Sequence, residues 1–477
     1  MPTSKAADFT NQPSVLKIME ELKQQFGPGG EQLKVSDVID QQGRQYVNLV
    51  QEGGGVLGIA LVGFTYVLEQ MGIRFWRLAG TSAGAINTIC LAAIGQKGEA
   101  KSEQILEYLA QTNLLSFVDG HGVVPWVLKR LLRNKNFLKH LLYGMLALVS
   151  VLMVSMFIGA MYPHKTWVWF ILITLGLTLI TVLYLRYLWG RFKRRNWGIC
   201  RGQAFHAWIT RILQEQGIQT VKQLMERAYN TAADNQLQLK QDGMNLRSAD
   251  DARVDSLQSD VTMIACDITT QMKVEFPRMA MLYGKDANAN PADFVRASMS
   301  IPVFFESYGM GPIDTHNPDV RAAWRSINIP AEKIPSYVNF VDGGVISNFP
   351  INVFHNPAIK VPRLPVIGVR LADGDDDTAA DVFSGLASYI GAVFNTVRFN
   401  YDKEFLSKNN FYTQYVASID VRDFNWLNFA MPEEEQKRLF LQGVQTAADY
   451  LRAFNWEDYK QGRMRLYEQL NPAVSER

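Results

Sequence analysis

The tightest constraint in the chain is Gly80-Thr81-Ser82-Ala83-Gly84. There a serine sits between two glycines where an apolar run, Phe75 to Ala79, gives way to a helix-like one, Ala85 to Ile94. A G-x-S-x-G run at a strand-to-helix junction predicts a nucleophile elbow. The turn leaves little room for side chains at its flanks, here Gly80 and Gly84, and lifts the hydroxyl over the end of a sheet. The helix that follows aims its positive end at the serine, where negative charge develops during acyl transfer. A glycine-rich turn before a helix is also common in α/β proteins, so these residues alone leave the chemistry open.

Upstream, Tyr46 to Val50 reads as a strand and runs into Glu52-Gly53-Gly54-Gly55-Val56-Leu57-Gly58. An amphipathic helix follows, with Leu57, Ala60, Leu61, Phe64, Val67, Leu68 and Met71 on one face. Successive glycines before a helix leave backbone N–H groups free to converge on an anion. Gly53, Gly55 and Gly58 also spell the dinucleotide fingerprint. That fingerprint wants an acidic residue at the end of the next strand. The next strand, Phe75 to Ala79, holds no carboxylate and ends in the serine elbow, which favours the oxyanion reading. Downstream, Tyr337 to Val341 is strand-like and ends in Asp342-Gly343-Gly344, followed by Asn348-Phe349-Pro350. By itself an Asp-Gly pair is a turn signal.

Together these segments resemble the patatin-like phospholipase family, which combines a glycine-rich oxyanion loop, a G-x-S-x-G serine and a D-G-[GA] aspartate. Cys266-Asp267-Ile268-Thr269-Thr270 is similar to the family's inner strand, and Ala297 to Phe304 to its Ala-Ser-x-x-Ile-Pro-x-x-Phe segment. The resemblance runs from about Tyr46 to Val369, in the family's order. It implies Ser82 as nucleophile and Asp342 as its base, without histidine, and Gly343 and Gly344 as support for the aspartate. For the oxyanion it implies the loop Gly53 to Val56, with the amides of Gly54, Gly55 and Val56 as donors. No cofactor is implied. One departure stands out: many members carry Arg or Lys before the last glycine of the loop, where this chain has Leu57. Backbone donors do not depend on that side chain.

The expected fold is an α/β three-layer α/β/α sandwich with a largely parallel sheet, in which Ser82 and Asp342 meet across neighbouring strand tips. A Ser-Asp-His triad in that chain order leaves only His355 as third member. Within Phe354-His355-Asn356-Pro357 it reads instead as a polar residue near a helix start.

The 477 residues carry a net charge of +2 and no aromatic-basic groove pattern, which argues against a nucleic-acid partner. Cys90, Cys200 and Cys266 are too scattered for a disulfide frame or a zinc site and fit a reducing compartment. No metal site is expected. Asp373-Gly374-Asp375-Asp376-Asp377 lacks the distant glutamate of a helix–loop–helix calcium site and reads as a solvated turn.

Two uncharged runs, Leu141–Tyr162 and Thr166–Leu185, lie between serine and aspartate, each long enough as helix to cross about 30 Å of hydrocarbon. With aromatics at their ends they predict a transmembrane hairpin over 141–189, its spans 141–162 and 166–189 in a lipid bilayer. Basic flanks (Lys129, Arg130, Arg133, Lys135 and Lys139 before, Arg186 and Arg191 to Arg195 after) place both ends, and the catalytic domain, on the cytoplasmic side. The expected organisation is an N-terminal helix and linker over 1–45, a catalytic domain over 46–370 with a polar loop at 231–260, and a helical extension over 371–477 that packs and carries no chemistry. The predicted function is a membrane-anchored serine acyl hydrolase acting on a membrane lipid substrate such as a phospholipid or lysophospholipid. Two rivals remain at this stage. One is acyl transfer from the same acyl-enzyme; the other is a catalytically silent lipid-binding protein.

Overall fold

The computed structural model describes residues 5–120, 196–229, 237–239, 259–372 and 386–471, with scattered helical positions between 143 and 193. The central sheet is built on β1 (Gln45–Gln51) and β2 (Ile73–Thr81), joined by the helix α2 (Gly58–Gln70). Both strands are buried nearly throughout, as expected where helices cover both faces of a parallel pair. Apart from the two-residue strands Val38–Ile39 and Gln238–Leu239, which pair with each other beside β1, and a separate two-stranded pair (Gly198–Cys200 and Val303–Phe305), the other described strands are β3 (Asp260–Asp267), β4 (Met272–Phe276), β5 (Tyr308–Met310), β6 (Val338–Asp342), β7 (Val366–Ala372) and β8 (Val416–Asp420). They lie in the order β8-β7-β1-β2-β3-β6-β5, with β4 folded back on β3. From β8 to β3 every neighbour is parallel. β6 runs antiparallel to β3, and β5 antiparallel to β6.

Side chains alternate between the two faces, as the strand period of two requires, except that a bulge in β2 opposite Val47 and Asn48 lets Phe75 and Leu78 share a face. Val47, Leu49, Phe75 and Leu78 enter the main core. Helices α1 (Pro13–Phe26), α2, α3 (Ala83–Ala93) and α5 (Glu433–Ala453) cover that face. Val50 and Ala79 point the other way, onto Phe349, Ile351, Tyr412 and Leu466, with Phe405 and Leu406 of α4 (Leu386–Lys408) beside them. The mixed α/β expectation therefore holds, with a mostly parallel sheet between two helical layers.

Three expectations are corrected. First, the tips carrying Ser82 and Asp342 do not belong to neighbouring strands, because β3 lies between β2 and β6. Second, the segment after Ala372 is not a helical extension alone. Residues 416–420 add an edge strand, and α5 packs along α2. Third, the prediction of two membrane spans with a cytoplasmic catalytic domain is overturned: among the described residues no helix is long and apolar enough to cross a membrane. Most of 141–162 and 166–189 lies outside the described residues, as do most of 231–260 and the acidic run 373–377.

Candidate active site

Ser82 follows directly on β2 and begins α3, with φ 50° and ψ −115°. A non-glycine residue there is strained by ~1–3 kcal/mol, and the surrounding packing must hold it. The glycines explain how. A Cβ on Gly80 would sit 2.3 Å from the carbonyl carbon of Gly84, and one on Gly84 would sit 2.4 Å from the carbonyl oxygen of Gln51. The elbow is thus pressed against its own helix and against the end of β1. Its backbone is held from outside as well, since the Ser82 N–H donates to Ser298 Oγ at 3.0 Å.

Asp342 ends β6, and its side chain accepts a 2.6 Å hydrogen bond from Ser82 Oγ across 260 residues of sequence. The reach over the intervening strand depends on Gly343. Any Cβ there would fall 2.2 Å from the Ile264 carbonyl oxygen of β3. The other carboxylate oxygen accepts the Gly344 N–H at 2.7 Å, and the Asp342 N–H donates to the Ser300 carbonyl at 2.8 Å. Ser298 and Ser300 therefore clamp the backbones of both residues. The sequence singled out their segment by resemblance alone and assigned neither a role.

Burial pushes the Asp342 carboxyl up to about 6, and the hydrogen bonds from Ser82 and Gly344 offset only part of that effect. His355 is engaged elsewhere: its Nδ1 lies 2.9 Å from Tyr412 Oη, its ring packs on Phe405, and burial lowers its pKa to about 4.

The glycine loop lies beside the serine, with a Cβ on Gly53 only 3.1 Å from Ser82 Cβ. Its four amides are not equivalent. Gly53 N–H donates to the Asn348 carbonyl and Val56 N–H to the Trp426 carbonyl, both at 3.0 Å. Val56, expected as an oxyanion donor, is thus already committed, because the Trp426 carbonyl packs onto the loop. Gly54 and Gly55 N–H have no hydrogen-bond partner among the described residues. Glu52 holds the loop in place, accepting from Asn348 Nδ2 at 3.0 Å and from the Leu371 N–H at 2.7 Å. Burial raises its pKa.

Two cavities meet at Ser82. One, of about 80 Å³, is almost wholly apolar and lined by Ile59, Val62, Leu109, Phe117, Trp208 and Met299. The other, of about 430 Å³, is bounded by Gly53 to Gly55, Asp342, Asn348, Arg398 and Trp426. Gly55, Ser82 and Ile301 line both. Arg398 and Trp426 come from the segment expected to carry no chemistry. A lone arginine in an amphipathic stretch gave no signal of this, whereas Asn348 at a fixed step after Asp342 was visible.

A strained serine at a strand end, bonded to a buried carboxylate beside two amides that have no partner among the described residues, defines an acyl-hydrolase type of site on an α/β fold. Residues 49–355 match the model of the patatin-like phospholipase family. The chain belongs to that family of lipid acyl hydrolases and is a carboxylic ester hydrolase. An uncharacterised protein, YqhO of Bacillus subtilis (strain 168), is 25% identical over 412 residues, 86% of this chain and 100% of that protein. Among solved structures, VipD from Legionella pneumophila is similar at a TM-score of 0.36 and 14% identity, over 88% of this chain and 70% of that one.

Proposed function

We propose that the chain cleaves acyl esters of lipids through a Ser82–Asp342 pair. Asp342 takes the proton of Ser82 Oγ as that oxygen attacks the ester carbonyl. The resulting oxyanion rests on the Gly54 and Gly55 amides; as it collapses the ester C–O bond breaks and Asp342 passes the proton to the departing alcohol. Water activated by the same carboxylate then releases the fatty acid from Ser82. Each amide donor of this kind is worth about 3–4 kcal/mol to the transition state. The single observation carrying the reading is the 2.6 Å bond between Ser82 Oγ and Asp342 at a strained elbow. A carboxylate with an ordinary pKa near 4 is a weak base at neutral pH. The upward push on Asp342 to about 6 supports its part.

The narrow apolar cavity suits an acyl chain, and the wider one leaves room for the alcohol. A serine-directed fluorophosphonate is expected to label the wild type and not Ser82→Ala. In parallel, purified enzyme incubated with a lipid extract is expected to release fatty acid that the variant does not. Labelling that persists in Ser82→Ala would remove Ser82 as nucleophile.

A further inference from the structure

The wider cavity carries a charge that the proposed chemistry leaves unused. Among the described residues lining it, Arg398 is the one cation. The glycine loop offers none, since position 57 is a leucine and Gly53 to Gly58 contains no Lys or Arg. Arg398 stands on α4 one turn before Asp402, and positions four apart share a helix face. Asp402 fastens that face to the loop after Asp342, accepting from Ser347 Oγ at 2.8 Å and from the Phe349 N–H at 2.7 Å. The helix is thus tied to the Asp342 loop by one residue and presents the next residue up the same face to the cavity.

Among the described residues the donors to the Asp342 oxygens are Ser82 and Gly344, and the Arg398 guanidinium lies 5.0 Å from the centroid of the Phe399 ring, a contact that uses none of its N–H donors. The charge of Arg398 is felt there but does not overcome burial. No carboxylate lies within ion-pair distance of Arg398 among the described residues. A guanidinium offers five donors in a fork that matches phosphate oxygens in a bidentate manner. A partly buried cation facing an open cavity, with no acceptor on its donors among the described residues, is a specificity element for an anion.

We infer that Arg398 anchors a phosphate on the leaving-group side of the scissile ester, so that the site selects acyl esters of phosphate-bearing alcohols over neutral acylglycerols. The inference rests on the Ser82 reading only for which cavity receives the leaving group. A phosphate seated at Arg398 holds the alcohol half in the wider cavity and the acyl half in the apolar one, with the ester carbonyl at Ser82 between them. The serine chemistry itself is unchanged.

Two measurements test this. The first compares 1-oleoyl-lysophosphatidate with 1-oleoylglycerol, which differ only in the phosphate. The wild type is expected to favour the former at least tenfold in kcat/KM. In Arg398→Gln that ratio collapses towards one, with KM for lysophosphatidate carrying the change, and Arg398→Lys restores part of it. A wild-type ratio near one, or a ratio unmoved by Arg398→Gln, overturns the proposal. The second measurement does not involve hydrolysis. Calorimetry with dodecyl phosphate, which has no carboxylic ester for Ser82 to attack, is expected to give at least tenfold weaker binding to Arg398→Gln than to wild type. Equal affinity overturns the phosphate anchor even if Ser82 is the nucleophile. Weakened binding in a protein that fluorophosphonate fails to label would sink the serine reading and leave the anchor standing.

Discussion

Burial and hydrogen bonding oppose each other at Asp342. Withdrawal from water favours the neutral acid, the bonds from Ser82 Oγ and the Gly344 N–H favour the anion, and burial prevails, leaving a pKa of about 6. Only the carboxylate can accept the serine proton. Hydrolysis of a soluble ester is therefore expected to rise with pH, half-developed near 6 in kcat/KM and flat above. Asp342→Asn should lower kcat by about 10²–10⁴, the range for losing a general base, and abolish that inflection. The stability consequence runs the other way. A carboxyl whose folded pKa is raised binds its proton more tightly in the native state, so its contribution is present at low pH and lost as pH rises through about 6. An asparagine can keep both bonds, its Oδ1 accepting from Gly344 and its Nδ2 donating to Ser82, without a buried charge. Asp342→Asn is therefore expected to be no less stable than wild type to urea above pH 7, and a clear loss of stability there would contradict this account of the site.

Helices α2 and α5 pack backbone against backbone. A Cβ on Gly63 would fall 2.2 Å from the Phe440 carbonyl oxygen, and one on Gly443 would fall 1.9 Å from the Ala60 carbonyl oxygen. Each helix thus lays its backbone into a glycine gap of the other. The glycine loop enters α2 directly, so the position of this helix fixes the position of the candidate oxyanion amides. Gly443→Ala must push backbone away from backbone, with no flexible side chain to yield. The expected cost is about 1–3 kcal/mol, the usual range for overfilling a packed interior, read as a lower urea midpoint. Because the shift passes along α2 to Gly54 and Gly55, kcat is also expected to fall while the fluorophosphonate still finds Ser82. An unaltered midpoint would mean that the two helices are not in contact in solution.

Over the whole molecule, the features legible in the sequence were the local ones. The elbow at Ser82, the loop at Gly53 to Gly55 and the strand-end aspartate each announce themselves through glycine spacing beside an apolar run. What stayed hidden depends on residues far apart in the chain. Nothing local to Val56 says that its amide meets the Trp426 carbonyl, and nothing near Val338 to Asp342 says that this strand runs antiparallel. Charge-free length, terminal aromatics and basic flanks are all local signals, and together they predict two membrane spans in 141–189 that no described helix supports. The segment 371–477 differs from its expectation for the same reason. Amphipathic spacing gave its helices, but not that β8 would join the sheet or that α5 would cover α2. The family match ends at residue 355, yet β7, β8 and α5 all lie beyond it. On α5, Leu439, Phe440, Val444 and Leu451 are essentially fully buried. At about 1.5–3 kcal/mol for each such side chain, their burial contributes roughly 6–12 kcal/mol. That is comparable to the whole stability of a typical domain, about 5–15 kcal/mol. A chain stopped after residue 372 is therefore expected to lose cooperative unfolding and protease resistance, and with them labelling at Ser82, although Ser82, Asp342 and the glycine loop are all retained. A truncated protein that stayed resistant to trypsin and was labelled at the wild-type rate would mean that the matched segment folds without its C-terminal cover.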